Sequence, residues 1–175
     1  MRTSDVPGSA SSKAHCLLFH KGGLLRFHLV DRFINLEPGR SATAIKAVSL
    51  ADDCTLDYQP GMAVFPATML LEAMAQTGGL LIIVSIDFAG LPVLAKVQDF
   101  RSIHPVRPGD RIIIEARIDS MSRDGCRLSI EAVVDGNCVA QAKVILAITA
   151  PEEPVEDFRA RVRRRMLEIH PEAIR

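Results

Sequence analysis

The 175-residue sequence has no tryptophan and only one tyrosine, Tyr58. It also has no excess charge, because 21 lysines and arginines balance 21 aspartates and glutamates. A zero net charge argues against a general nucleic-acid binder, which needs a basic surface to meet phosphates. The single tyrosine, Tyr58, stands just before Pro60-Gly61 and the apolar stretch that begins at about Ala67.

The four cysteines lack the spacing of a metal or redox site. Cys16, Cys54, Cys126 and Cys138 form no C-x-x-C pair, and no histidine pair lies near them in the sequence. A zinc site or a redox motif is not expected, and no metal or cofactor is predicted. We interpret the thiols as reduced, partly buried side chains that behave as small hydrophobes.

Long hydrophobic runs are also missing. The longest, Leu80 to Val84, is far shorter than the roughly 20 residues that a membrane-spanning helix needs. Residues 1–14 hold no apolar run long enough for a signal peptide, and their small, polar composition predicts a disordered leader. We therefore expect a cytoplasmic protein without a membrane span.

What the sequence does contain is enough apolar material for a core, at 48% hydrophobic residues. Residues 15–150 predict two strands, one long helix from about Ala67, and four further strands. The strands are predicted at Phe27–Leu36, Arg40–Leu50, Val93–Val106, Arg111–Met121, Arg127–Val134 and Cys138–Ile148. This order indicates an α+β fold with an antiparallel sheet curled around one helix. Exposed sheet edges and an incompletely covered helix favour a dimer.

Residues 151–175 form a tail of different composition. A linker at 151–154 precedes a predicted helix, Asp157–Ile169, which carries five arginines and an apolar stripe. The stripe consists of Phe158, Val162, Met166 and Ile169. Two interpretations stay open: a helix docked on its own sheet or on a dimer mate, or a basic surface for an acidic partner.

The central helix has polar side chains inside an otherwise apolar sequence. Thr68, Glu72 and Gln76 are spaced four apart and so share one face. A carboxylate on a buried helix is costly unless it is paired, hydrogen-bonded or used. Glu72 is therefore either a carboxylate satisfied by its neighbours or a functional acid.

Several motifs together resemble the hotdog-fold β-hydroxyacyl-acyl carrier protein dehydratases. That family's signature runs roughly H-F-P-G-x-P-x-M-P-G-x-L-x-x-E-A-x-A-Q. The chain matches it, at the same spacing, at Pro60-Gly61, Pro66, Glu72-Ala73, Ala75 and Gln76. The resemblance extends over Phe27–Ile148 and includes Leu36-Glu37-Pro38-Gly39 and Pro105-Val106-Arg107-Pro108-Gly109-Asp110. It implies a hotdog fold for residues 15–150.

Three of the departures from the signature bear on its chemistry. Tyr58 stands at the family's histidine, Gln59 at the following phenylalanine, and Ala67 at the glycine of M-P-G. The resemblance implies that the histidine acts as base and the glutamate as acid, contributed by different subunits. Glu72 and Tyr58 are thus the predicted catalytic positions.

The resemblance also implies where the substrate binds. The thioester carbonyl is expected near the N-terminus of the central helix, and the acyl chain in a tunnel. The predicted substrate-binding residues are Gly61, Phe65, Pro66, Ala67, Met69 and Gln76. The expected partner is an acidic acyl carrier protein, for which Arg101, Arg107 and the tail arginines are candidate contacts.

Tyr58 is a poor replacement for a histidine base. A phenol has a reference pKa of about 10 and is almost wholly protonated near neutral pH. Of His15, His20, His28 and His104, we regard His104, next to Pro105 after the helix, as the strongest substitute. His28 is predicted to lie in a strand as a packed or surface side chain.

Four functions remain open from the sequence. The chain is a dehydratase with an atypical site, or it completes one site of a heterodimer with a histidine-bearing paralogue. The third alternative is a hotdog thioesterase in which Glu72 activates water, and the fourth is a non-catalytic binder of acyl chains. All four suit an apolar tunnel, so the choice rests on the site itself.

Overall fold

The computed structural model describes residues 28–56 and 61–171. Within these ranges the chain order begins with β1 (Arg32–Glu37), β2 (Ser41–Ala47), α1 (Asp53–Leu56) and α2 (Ala67–Ser85). It continues with β3 (Leu91–Ser102), β4 (Arg111–Met121), β5 (Gly125–Val134), β6 (Asn137–Thr149) and α3 (Val155–Ile169). The strands form one antiparallel sheet in the order β1-β2-β4-β5-β6-β3. The predicted α+β arrangement is confirmed.

The long helix α2 is the core that the sheet encloses. Its second half is almost wholly buried, with Leu80, Leu81, Ile82 and Ile83 at most 2% exposed. Gly78 lets the helix approach the sheet, because an added Cβ would lie 3.2 Å from a methyl of Leu128. The helix has the length and composition of a membrane span, but 67% of its apolar window is buried in the protein. Such burial is typical of a core helix.

Asp-Gly pairs, which are typical of tight hairpin turns, stand at the start of β5 and before β6, and only the second has the backbone of a two-residue turn. Asp135 and Gly136 have φ of 49° and 79°, the paired positive values of a tight two-residue hairpin turn between β5 and β6. Gly125 instead begins β5, where an added Cβ would lie 2.8 Å from the Leu146 carbonyl oxygen. Close packing explains this glycine, not turn geometry.

Some predicted boundaries were wrong. β1 begins at Arg32 instead of Phe27, so His28 lies before the strand. β3 covers Leu91–Ser102 instead of Val93–Val106. Its ladder ends where the N–H groups of Ile103 and His104 both donate to the Val139 carbonyl, at 2.8 and 3.3 Å. The short helix α1 was missed, because four residues are too few to give a helical period.

The tail helix α3 docks on its own chain. Phe158, Val162 and Met166 are 2%, 0% and 2% exposed, as the predicted stripe requires. At the start of α3, the Arg159 side chain donates to the Asp87 carbonyl at 3.0 Å. After its end, the His170 ring packs edge-on against Phe33 of β1 at 5.1 Å. The first of the two interpretations of the tail is confirmed for its apolar face.

Candidate active site

The N-terminus of α2 offers free backbone donors. Pro66 precedes the helix with φ −59° and ψ 139°, and no side chain caps this end. The first helical bond runs from the Leu70 N–H to the Pro66 carbonyl, at 2.9 Å. The N–H groups of Ala67, Thr68 and Met69 therefore have no partner inside the helix. Together with the helix dipole, they favour a carbonyl oxygen that gains negative charge.

The segment before α2 is held against the β3–β4 connection. Gly61 has φ +79°, a conformation that side chains rarely adopt, so the glycine of the signature is required here. Phe65 forms an isolated bridge with Val106, its N–H donating to the Val106 carbonyl at 2.8 Å. These contacts fix the entry of the chain into the helix.

A cavity of about 330 Å³ lies against the first turn of α2. Of the predicted substrate-binding residues, Phe65 and Ala67 are in its wall; Pro66 is buried at the helix start, while Gly61 is exposed. Met69 packs partly buried against the core and is outside this wall. The described lining consists of Met62, Val64, Phe65, Ala67, Leu70, Ser102, Ile103, His104, Pro105 and Val106.

Glu72 is held by a hydrogen-bonded bridge. The amide nitrogen of Gln76 donates to Glu72 Oε1 at 2.9 Å, and the Leu29 N–H donates to Gln76 Oε1 at 3.0 Å. Gln76 is 1% exposed, whereas Glu72 is only partly buried. This confirms that a neighbour one helical turn away satisfies Glu72. Gln76 was predicted to bind substrate; the structure places it behind Glu72, where it orients the carboxylate.

A single chain does not bring Glu72 to the cavity. At about 100° per residue, Glu72 is rotated by roughly 140° from Ala67 around the helix axis. Leu70 shares the cavity side with Ala67, and Glu72 is not in the described lining. Within one chain, the cavity at the start of α2 and the Glu72 carboxylate therefore lie on different sides of the helix.

Tyr58 and Gln59 lie within residues 57–60, outside the described part of the chain. The predicted role of Tyr58 at the histidine position therefore stays a prediction. Residues 52–56, which precede Tyr58, are anchored by a partly buried ion pair, in which Lys46 Nζ lies 3.1 Å from Asp52 Oδ2.

The described cysteines behave as expected of structural thiols. Cys126 is buried, and desolvation, helped by the nearby Asp119 carboxylate, raises its pKa to about 11. Burial is also the first cause that raises the pKa of Cys138. Both thiols are therefore weaker nucleophiles than a free cysteine at neutral pH. Cys54 is partly buried, and Cys16 lies outside the described residues.

Comparison with known proteins decides the family. The model of the FabA-like domain matches residues 24–143, more than half of the chain. The chain belongs to the FabA-like family of hotdog-fold dehydratases. A 3-hydroxyacyl-[acyl-carrier-protein] dehydratase FabZ from Herpetosiphon aurantiacus is 35% identical over 123 residues, covering 70% of this chain and 87% of the relative. The FabZ of Escherichia coli O9:H4 is 36% identical over 124 residues, with 69% and 82% covered.

Solved structures confirm the hotdog fold of this FabA-like chain. A Streptococcus mutans protein bound to acetyl CoA superposes with a TM-score of 0.58 at 18% identity, covering 77% of this chain and 98% of that one. A thioesterase from Haemophilus influenzae gives 0.55 at 16% identity, covering 68% and 78%. At these identities the likeness concerns the fold alone.

Sequence reasoning missed one feature of the FabA-like site. The backbone N–H of Leu29 completes the bridge to Glu72, and a backbone donor 47 residues away leaves no signal in the sequence. His104, which the sequence indicated as the strongest substitute base, lies in the wall of the cavity. Its position beside Pro105, after the helix, was a signal of proximity but not of orientation.

Proposed function

We propose that the protein is a β-hydroxyacyl-acyl carrier protein dehydratase-like enzyme of fatty-acid or polyketide-type biosynthesis in the cytoplasm. The observation that carries this proposal is the position of Glu72. It is a partly buried carboxylate, oriented by Gln76, on the helix whose N-terminus borders an apolar cavity. FabZ relatives at 35–40% identity support the reaction class.

Dehydration needs three groups around the substrate. A base takes the proton alpha to the thioester carbonyl, an acid gives a proton to the departing hydroxyl, and donors stabilise the enolate oxygen. Glu72 suits the acid, and the first N–H groups of α2 suit the oxyanion. The apolar wall formed by Met62, Phe65 and Leu70 suits an acyl chain.

The enzyme would act as a dimer. Because Glu72 and the cavity face different directions, a complete site requires the carboxylate of a second copy. β3 is a 12-residue edge strand that pairs with β6 on one side, and its exposed Leu94 and Val97 are 40% and 37% accessible. An open apolar edge of this length is a ready template for pairing with another chain.

The acyl carrier protein would approach at the mouth of the cavity. Arg101 and Arg107 are exposed and flank the lining segment Ser102–Val106. Arg101 lies 3.6 Å from Asp99, an exposed pairing that a stronger acidic partner could replace. Exposed arginines next to a cavity entrance suit a phosphate-bearing arm and an acidic carrier.

One observation favours a second candidate function. Tyr58 occupies the family's histidine position, and a neutral phenol is a poor base for a carbon acid. The chain would then be a half-site subunit that lends Glu72 to a histidine-bearing paralogue. Its own mirror site would bind acyl chains without turnover.

A turnover assay separates these functions. The purified homomer is incubated with a β-hydroxyacyl carrier protein thioester, with and without a histidine-bearing dehydratase, and the enoyl product is measured. We expect slow dehydration by the homomer, at least 100-fold reduced by Glu72→Gln and raised by Tyr58→His. Glu152→Gln, which changes an exposed carboxylate outside the described cavity lining, is the control and should stay within twofold.

Other outcomes of the same assay identify the alternatives. Turnover only in the mixture, lost when the Glu72→Gln chain is mixed in, supports the half-site subunit. Release of free acid and thiol from the homomer supports a thioesterase. Rapid homomer turnover that survives Glu72→Gln contradicts the proposal.

A further inference from the structure

The cavity beside α2 contains a histidine that the family signature does not place there. Among the described residues of its wall, His104 is the only one with a titratable side chain; the remaining lining is apolar apart from Ser102. An imidazole is the side chain whose ordinary pKa suits proton transfer near neutral pH. The cavity wall thus contains an imidazole, the proton-accepting group that is missing at Tyr58.

The backbone holds His104 in place on both sides. Its own N–H and that of Ile103 donate to the Val139 carbonyl of β6, at 3.3 and 2.8 Å. Two residues later, the Val106 carbonyl accepts from the Phe65 N–H at 2.8 Å. Pro105 between these anchors further restricts the backbone. The backbone of His104 therefore keeps its position relative to the helix end within one chain.

The charges around His104 leave the cavity itself neutral. Arg101 and Arg107 are its charged neighbours along the chain, and neither lines the cavity. Arg101 faces Asp99, and the Arg107 N–H donates to Asp110. The segment that packs opposite, residues 61–66, carries no charged side chain, and neither does Val139 on β6. An imidazole here meets its substrate in an apolar wall next to helix N–H donors.

We propose that His104 is the proton-accepting base of this site, in place of the histidine for which Tyr58 is substituted. This inference rests on the proposed function. An imidazole nitrogen takes the proton from the alpha carbon, and the electron pair of that C–H bond moves towards the thioester oxygen to form an enolate, which the first N–H groups of α2 stabilise. When the enolate collapses, this electron pair forms the double bond to the beta carbon. The bond between the beta carbon and the hydroxyl breaks, and the hydroxyl leaves as water with the proton of Glu72 from a second copy. Solvent then returns the proton from imidazolium to the carboxylate.

The decisive experiment separates the base from the acid. The full-length protein is incubated in D2O with a β-hydroxyacyl N-acetylcysteamine thioester, which needs no carrier docking. Enoyl product and deuterium at the alpha carbon are both measured by mass spectrometry. We expect His104→Gln to lower both by at least 100-fold, whereas Glu72→Gln lowers only the enoyl product and leaves alpha exchange.

Two controls exclude a structural effect. Arg123 lies in the β4–β5 turn, at the opposite end of the sheet from the pairing of Ser102 with Ala140. The variant Arg123→Gln should therefore keep dehydration and alpha exchange within twofold of wild type. His104→Ala should regain at least tenfold activity with added imidazole, which fits a cavity of about 330 Å³. A purely structural histidine would not be rescued in this way.

The outcomes separate this inference from the proposed function. Dehydration and alpha exchange within threefold of wild type in His104→Gln would overturn the role of His104 and leave the dehydratase function intact. If the wild-type homomer showed neither dehydration nor alpha exchange, the role of His104 as base would be overturned. If dehydration were also absent with a histidine-bearing partner, the proposed function would be overturned as well. Loss of activity without imidazole rescue, and with an altered thermal unfolding midpoint, would count against a base.

Discussion

At the scale of single residues, Gln76 determines where Glu72 points. Its amide uses both ends, one on the Glu72 carboxylate and one on the backbone of Leu29. The signature places a glutamine one turn after the glutamate, so the first contact was predictable from the spacing of four. The second contact was not, because the segment at Leu29 reaches the helix only through the folded sheet.

We predict that Gln76→Met weakens both stability and activity. The change keeps the volume, but it leaves the Leu29 N–H buried without an acceptor and removes the donor to Glu72. The expected loss is about 1–3 kcal/mol in the free energy of unfolding, measured with urea. The kcat of dehydration should fall by about 10- to 100-fold, because the carboxylate is no longer oriented.

The control for this change is Thr77→Val on the next residue. Thr77 is fully buried and its hydroxyl donates only to the Ala73 carbonyl of its own helix, at 2.9 Å. Losing that local bond should cost less than about 1 kcal/mol. If Gln76→Met lowered the free energy of unfolding by no more than Thr77→Val does, the bridge to Leu29 would not contribute to stability.

At the scale of elements, the alternation of apolar and polar residues predicted the strands whose bounds depend on local sequence. β4 was predicted at its observed bounds, Arg111–Met121, because apolar residues alternate with polar ones along it. The ends of β1 and β3 were wrong because a strand ends where regular pairing with its neighbour ends, not where its own apolar residues end. The pairing of β1 with β2 begins at Arg32, and the pairing of β3 with β6 ends at Ser102 and Ala140, next to the Val139 carbonyl that accepts two N–H groups.

The tail helix α3 was predicted as an amphipathic helix, but its docking place depends on distant residues. It lies beyond the matched FabA-like residues 24–143 and contacts Asp87 at its start. We predict that Val162→Asp releases it, because a buried, unpaired carboxylate is strongly unfavourable. Limited proteolysis within residues 150–154 should become at least tenfold faster.

The matched control for α3 is Leu167→Asp. Leu167 is 47% exposed on the same helix, whereas Val162 is fully buried. The control should change the proteolysis rate by less than twofold. Equal rates for both variants would mean that the apolar stripe does not hold the helix.

At the scale of the whole molecule, the two sheet edges differ in length and cover. β1 is a six-residue edge with a register shift between Phe33 and Asn35, and the His170 ring packs against Phe33. β3 is twice as long, and most of its described side chains are exposed. Short, irregular or covered edges resist pairing, whereas a long open edge invites it. β3 is therefore the edge at which the proposed dimer contact is expected.

This assignment predicts that Val97→Lys on β3 dissociates the dimer. A lysine at a paired edge places a strongly hydrated charge where apolar contact is needed. We expect the dissociation constant, measured by analytical ultracentrifugation, to rise by at least tenfold. Ile34→Lys on β1 replaces a 55% exposed apolar side chain in the same way and should leave the constant within twofold. Under the proposal that Glu72 serves the cavity of a second copy, the β3 variant should also lose dehydration at low protein concentration and regain it at high concentration. A variant that is monomeric yet fully active at all concentrations would contradict the two-copy site.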